Sequence, residues 1–219
     1  MPTLGYWKIR GLAAAMRFQM IYSGVEYTLD EYEQGDAPDF SRQTWMDKKF
    51  TLGLQFPNLP YLIDGDFSMT ESIPIHKYLA DKYQPELLGT DAGQRAVVNM
   101  LGGIIGDLKM AVTSNCYMQD QKSHIVGIIQ EKLPPVMKFL GEKKFLAGDN
   151  VTWIDFYFWE LVNLMKFCHE GLLEEFPSLK GYDDTMRNLP KLKEYLDDPN
   201  SLDNNRPFNN KVAKINSVV

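Results

Sequence analysis

Over the first eighty residues, short apolar runs alternate with helix-periodic segments; beyond them, helical periodicity stands almost alone. Thr3–Lys8 predicts a strand, and Leu12–Tyr22 a helix that Gly24 terminates. Val25, Tyr27 and Leu29 alternate with polar residues, which predicts a second strand. Strand, helix, strand in that order implies a parallel pair with a crossover helix. Pro60–Ile63 and Phe67–Thr70 flank Asp64-Gly65, a favourable hairpin turn. Ser72–Tyr83 then reads as a helix, with Pro74 tolerated in its first turn.

Past Pro85–Asp91 the strand signal fades. Val97, Leu101, Ile104 and Leu108 recur at helical spacing, as do Ile125, Ile128, Ile129 and Leu133, before Pro134-Pro135 interrupts. Phe156–Phe167 is apolar on nearly every side and predicts a core helix. Leu189–Leu196 is the last clear helix, and the polar stretch from Asp197, with Pro199 and Pro207, is expected to wrap the surface. The pattern therefore divides the chain into an α/β domain over 1–83, a linker over 84–90 and an all-α domain over 91–219.

Composition narrows the function classes. Of 219 residues 44% are hydrophobic, enough for a sizeable core and too many for a disordered chain. Lys+Arg 23 against Asp+Glu 29 leaves a formal charge of −6, which argues against nucleic acid or an anionic membrane as partner. No apolar run approaches the roughly 18 residues of a membrane span, and Met1–Gly11 has no signal-peptide core. Cys116 and Cys168 form no CxxC pair and have no evident partner base, so they read as packing residues of a cytoplasmic protein. His76, His124 and His169 are scattered without metal-ligand spacing, and the chain has no Gly-rich phosphate loop and no GxSxG elbow.

The candidate chemistry lies in the α/β domain. Tyr6 sits near the end of the first strand, followed by Trp7 and Arg10-Gly11, at the edge where α/β layers bind ligands. A phenol there can donate a hydrogen bond to an anion, although taken alone it reads as an ordinary strand residue. Arg42, Trp45 and Lys49 fall within about 60° on a helix, presenting two cations and an indole N–H. By itself that grouping reads as a solvated basic face with Trp45 against the core. In Asn58-Leu59-Pro60, a cis proline at the strand entry would turn the backbone outward and offer the N–H and C=O of Leu59 to an extended peptide.

Three longer segments bring these residues into one frame: Leu4-Gly5-Tyr6-Trp7 with Ile9-Arg10-Gly11-Leu12, Gly35-Asp36-Ala37-Pro38-Asp39-Phe40, and Phe56-Pro57-Asn58-Leu59-Pro60-Tyr61-Leu62-Ile63-Asp64-Gly65. They resemble the cytosolic glutathione S-transferases of the mu class. Phe145-Leu146-Ala147-Gly148-Asp149 with Thr152-Trp153-Ile154-Asp155-Phe156 resembles the family's C-terminal folding motif. Locally, Thr152 is placed to cap the following helix, Asp155 to bond back, and Val151 and Phe156 to form a hydrophobic staple.

The resemblance implies an α/β N-terminal thioredoxin-like domain plus an all-α C-terminal helical domain, assembled as a homodimer. It implies glutathione as co-substrate, no cofactor or metal, and a small apolar electrophile as second substrate. Tyr6 matches the catalytic tyrosine that stabilises the glutathione thiolate. Trp7, Arg42, Trp45 and Lys49 match residues at the glycyl end of glutathione, Asn58 and Leu59 the loop that pairs with its cysteinyl backbone, and Ser72 a residue at its γ-glutamyl carboxylate. Glu71 stands where mu chains carry Gln, and other classes of the family use Glu. Leu12, Met110 and Tyr117 match the electrophile pocket, Asp107 the acidic residue that reaches the neighbouring subunit's glutathione, and Phe56 a dimer contact. The helix from Arg95 departs from mu chains by an apparent two-residue insertion and by Gly102, Gly103 and Gly106, which suggest a close approach by another backbone. Conjugation for detoxification is the expected function. The alternatives are a non-catalytic ligand-binding protein of the same fold and a dedicated glutathione-dependent isomerase, such as a prostaglandin isomerase.

Overall fold

Leu4 is fully buried and packs with Met16, Met20, Leu62, Ile75 and Leu79, so the first strand, the hairpin and two helices share one core. The computed structural model describes residues 1–217. Its contacts fall into two compact units: Met1–Tyr83 with Pro190–Val212, and Gln84–Leu189 with the residues from Ala213 onward.

The first unit holds a four-stranded sheet of order β2-β1-β3-β4, with β1 Thr3–Trp7, β2 Thr28–Tyr32, β3 Tyr61–Asp64 and β4 Phe67–Thr70. β1 is parallel to β2 and antiparallel to β3, and β3 and β4 form the hairpin expected around Asp64-Gly65. α1 (Ala13–Tyr22) is the crossover, and α3 (Ser72–Tyr83) follows the hairpin. Gln19 of α1 donates to the backbone oxygen of the buried His76 of α3 at 3.0 Å, joining the two helices through polar groups that would be costly unpaired. β2 begins three residues later than the pattern of Val25, Tyr27 and Leu29 suggested. The Val25 N–H still bonds Met20 O at 2.8 Å, so Val25 belongs to the helix exit; the ladder starts at Thr28, opposite Thr3.

The tail corrects another expectation. Residues 190–212 group with the first unit and not with the helical one, and they do not merely wrap a surface. Asp203 is 1% exposed and accepts from Arg17 Nε at 3.1 Å and from Tyr195 Oη at 2.8 Å. Arg17 is equally buried, and a guanidinium there requires such a paired, hydrogen-bonded carboxylate.

In the second unit α4 (Ala92–Met118) packs against α5 (Lys122–Lys132) and α7 (Trp153–Cys168), while α6 (Pro134–Leu140) starts on the two prolines that end α5. Although no uninterrupted apolar run reaches the length of a membrane span, α4 as a whole is long and apolar enough to cross a membrane by length and composition. Its buried face, Val98, Leu101, Ile105, Leu108, Val112 and Cys116, is that of a core helix. α4 is uninterrupted despite its glycines. At Gly102 a Cβ would lie 3.0 Å from the Trp153 indole, whereas at Gly103 it would meet nothing within 4 Å. At Gly102 the close approach is therefore made by a side chain and not by a backbone. α8 (Leu172–Glu175) and α9 (Pro177–Arg187) complete this unit, and α10 (Leu192–Asp197) belongs to the first.

Candidate functional site

Tyr6 stands near the carboxyl end of β1, half-buried, and its hydroxyl oxygen accepts the Leu12 N–H at 3.1 Å. That N–H lies at the entry to α1, where backbone donors have no intrahelical partner. The contact fixes the phenol oxygen and places a positive dipole against it. Gly11 makes this possible: its φ is +45°, and a Cβ there would lie 2.7 Å from the Tyr6 ring and 2.8 Å from its hydroxyl. Arg10 N–H bonds Pro207 O at 2.8 Å and Gly11 N–H bonds Phe208 O at 3.1 Å, so the returning tail holds the turn beside Tyr6.

The loop before β3 and the turn before α3 converge. Leu59-Pro60 is cis, and Ala37-Pro38 is cis as well. Leu59 enters none of the backbone hydrogen bonds among the described residues. Asn58 Nδ2 donates to Glu71 Oε1 at 3.3 Å, tying the loop to the first residue before α3. Glu71 has φ +78°, a left-handed conformation that costs a non-glycine residue of order 1–3 kcal/mol and is found preferentially where a side chain must be aimed. Ile75 N–H bonds Glu71 O at 3.0 Å, so Glu71 is the helix cap, and the amides of Ser72 and Ile73 open the N-terminus of a twelve-residue helix to an anion.

The basic group is less uniform than the helical spacing suggested. α2 spans only Gln43–Met46, with Arg42 exposed at its cap, and Lys49 follows one turn beyond, its N–H on Trp45 O at 2.8 Å. Trp45 is 6% exposed and stacks on Tyr61 with ring centres 6.1 Å apart. Tyr32 and Leu54 share this cluster, and Trp7 and Leu59 pack against it. Trp7, Trp45 and Leu59 are thus brought together by an aromatic core, with Arg42 outside it. Tyr61 Oη donates to Asp30 at 2.6 Å; burial and this bond push the Tyr61 phenol well above its ordinary pKa. Gly5 is required there, since a Cβ would sit 2.0 Å from the Tyr61 ring.

In the second unit Asp107, Met110 and Tyr117 share one face of α4, within about 80° at helical spacing. Asp107 and Met110 are exposed and Tyr117 is half-buried. Lys109, which sequence reasoning passed over, is buried on the same helix with its ammonium 4.3 Å from the Tyr157 ring centre; burial lowers its pKa to about 8 against the opposing charge of Glu160. Reading also missed Gly11, Phe208 and the strained Glu71 backbone. Only Arg10-Gly11 before the first helix gave a sequence signal for any of them. Among the described residues no three His, Cys, Asp or Glu side chains group to hold a metal ion.

A mixed sheet of this order with a tyrosine near the end of β1, a cis proline before β3 and a capped helix after β4 is a thioredoxin-like arrangement. The chain belongs to the glutathione S-transferase family: residues 2–81 match its N-terminal domain and residues 106–199 its C-terminal domain. It is 38% identical to glutathione S-transferase Mu 7 of Rattus norvegicus over 215 residues, 96% of each chain. It is 37% identical to a glutathione S-transferase of Dermatophagoides pteronyssinus, over 89% of this chain and 90% of that one. Among solved structures, the glutathione S-transferase Blo t 8 superposes with a TM-score of 0.85 at 29% identity, covering 97% of this chain and 99% of the other. The Pi-class enzyme of Onchocerca volvulus gives 0.82 at 25% identity, with the same coverage.

Proposed function

We propose that this glutathione S-transferase conjugates the thiolate of glutathione to small apolar electrophiles, acting in detoxification as a cytoplasmic homodimer with no cofactor beyond the glutathione it consumes. The observation that carries the reading is the Tyr6 hydroxyl held by the Leu12 N–H at the end of β1. A free thiol with pKa near 8.5 is only about 3% ionised at pH 7, so a donor at the sulfur that lowers the pKa by two units makes thiolate the main species. The shift corresponds to about 2.7 kcal/mol, within reach of one aimed hydroxyl in a partly dry site.

The rest of the peptide follows from charge and shape. Leu59 offers its N–H and C=O to the cysteinyl backbone, and Asn58 holds that loop to Glu71. The α3 amides and Ser72 take the γ-glutamyl carboxylate, while the Glu71 carboxylate takes its ammonium, a charge-assisted bond worth roughly 1.5–3 kcal/mol. Asp107 of the neighbouring subunit is assigned to the same ammonium. Arg42, Lys49, Trp7 and Trp45 are assigned to the glycyl end, with the buried Trp45 anchoring the others. Leu12, and in the second unit Met110 and Tyr117, are assigned to the electrophile.

Glutathione-agarose retention followed by an absorbance assay with a chloronitrobenzene tests the reading. Tyr6→Phe is expected to lower conjugation at neutral pH by roughly 10²-fold with glutathione affinity nearly unchanged, because the lost bond acts on developing negative charge. The absorbance of bound thiolate, titrated in both proteins, gives the cause directly. An unchanged thiol pKa in the variant removes Tyr6 from the mechanism, and retention without turnover in the wild type would make the chain a binding protein.

A further inference from the structure

Two sulfur atoms that sequence reasoning assigned to packing are brought together in the second unit. Cys116, two residues before the end of α4, and Cys168, the last residue of α7, are free thiols with Sγ atoms 3.9 Å apart. They lie 52 positions apart in the chain, and both are buried, Cys116 completely and Cys168 to within 3%. The pair is asymmetric. Either thiol can donate across this contact, and burial pushes the Cys116 thiol up. What separates the two is charge: Lys122, whose ammonium lies 4.9 Å from the ring centre of the adjacent Phe167, favours the thiolate at Cys168. One sulfur is thus disposed to act as the nucleophile and the other to stand beside it as the resolving thiol.

We propose that Cys116 and Cys168 form a peroxide-oxidisable dithiol that closes into an intramolecular disulfide tying the end of α4 to the end of α7. Closure must bring the sulfurs from 3.9 Å to about 2.05 Å. Both residues lie in terminal helical turns, where carbonyls lack intrahelical partners and local opening is least costly. Burial selects a small, uncharged oxidant over a bulky disulfide, and hydrogen peroxide fits.

Each step balances. The Cys168 thiolate attacks one peroxide oxygen, the O–O bond breaks, and the departing hydroxide takes a proton to become water, leaving a sulfenic acid. Cys116 sulfur then attacks the Cys168 sulfur, the S–O bond breaks, and the hydroxyl leaves with the Cys116 proton as a second water. Two thiols give two electrons and two protons to one peroxide, yielding one disulfide and two waters. Tyr117 is the next residue on α4, so closure restrains the segment assigned to the electrophile; the thiol chemistry does not depend on that assignment.

The test is made on the full chain. Wild-type protein is treated with hydrogen peroxide, unfolded in denaturant with iodoacetamide, and measured by intact mass and peptide mapping. The expected result is loss of two hydrogen atoms, no alkylated cysteine, a linked peptide pair containing Cys116 and Cys168, and full reversal by dithiothreitol. Cys116→Ser should still react, stopping at a dimedone-trappable sulfenic acid on Cys168, whereas Cys168→Ser should react roughly tenfold more slowly. Two alkylatable thiols after peroxide, a bond only between separate molecules, or faster oxidation in Cys168→Ser than in Cys116→Ser would overturn the proposal. Should the serine variants fail to fold, alanine replacements address the order of reaction, and the wild-type mass alone decides whether the disulfide forms.

Discussion

Tyr6 is held in place by a residue with no side chain. Gly11 takes φ +45°, and the space a Cβ would fill is already occupied by the Tyr6 ring and hydroxyl. Gly11→Ala therefore combines left-handed strain with an overlap that the phenol must relieve by moving, a loss of roughly 1–3 kcal/mol in stability. Because the hydroxyl is what moves, the thiol pKa of bound glutathione is expected to rise towards its solution value while the affinity for glutathione changes little. Thermal unfolding and a thiolate titration on the same protein check both parts; a variant with lowered stability but unchanged thiol pKa would show that Gly11 serves the fold alone. Tyr6 itself was legible in the sequence because it ends a strand ahead of a glycine-led helix. The role of Gly11 was not, since it depends on the distance from its Cα to a ring five residues back.

At the scale of elements, the start of α7 shows what local sequence specifies well. Asp155 is fully buried and accepts the Leu146 N–H at 2.9 Å, the Thr152 N–H and hydroxyl at 2.8 Å each, and the Tyr182 hydroxyl at 3.2 Å. The expected bond back to Thr152 is present. Burial raises its pKa to about 6, and the four donors oppose that shift without cancelling it. A carboxyl with a folded pKa above its unfolded value binds protons more tightly when folded, so its contribution is complete below pH 4 and is lost as pH rises through about 6. The wild type is thus expected to gain up to about 3 kcal/mol relative to Asp155→Asn between pH 7 and pH 4. Urea unfolding of both proteins at the two pH values measures the difference, and a constant gap would mean that the carboxylate is not strained by burial. Other elements were harder to read. α9 buries only Leu179, Tyr182, Asp183 and Met186, a narrow stripe, and is fastened by Asp183 accepting from Trp159 at 2.7 Å and from Lys166 at 2.7 Å. A carboxylate facing the core breaks the apolar period on which helix reading rests. β2 was displaced for a related reason: Val25 and Tyr27 pack into the core without joining the ladder, so apolar alternation marked burial and not pairing.

For the whole molecule, the chain order hides two relations that composition does not reveal. Asp203, in a stretch rich in Asn and Asp, supplies the counter-charge for Arg17 186 residues earlier, which explains why a polar tail belongs to the first unit's interior. The second relation concerns assembly. Phe56 is 73% exposed, in a turn fixed by the Thr70 hydroxyl donating to Phe56 O at 3.1 Å, beside a cavity of about 220 Å³ lined by Leu54, Met69 and Glu71. A phenylalanine presented on a hydrogen-bonded turn keeps most of its ring in water in the single subunit, which is the arrangement the proposed homodimer requires. Burying the ring fully contributes roughly 1.5–3 kcal/mol, and a two-fold interface repeats the contact. Phe56→Ser removes both, so the dimer dissociation constant should rise by about 10²- to 10⁴-fold. Unfolding of the subunit is not a competing explanation, because an exposed ring contributes little to its own core, and far-ultraviolet circular dichroism of the variant should match the wild type. Sedimentation velocity over a range of concentrations decides the matter: a dimer as tight as the wild type's would show that Phe56 packs within its own subunit and that association, where it occurs, uses another face.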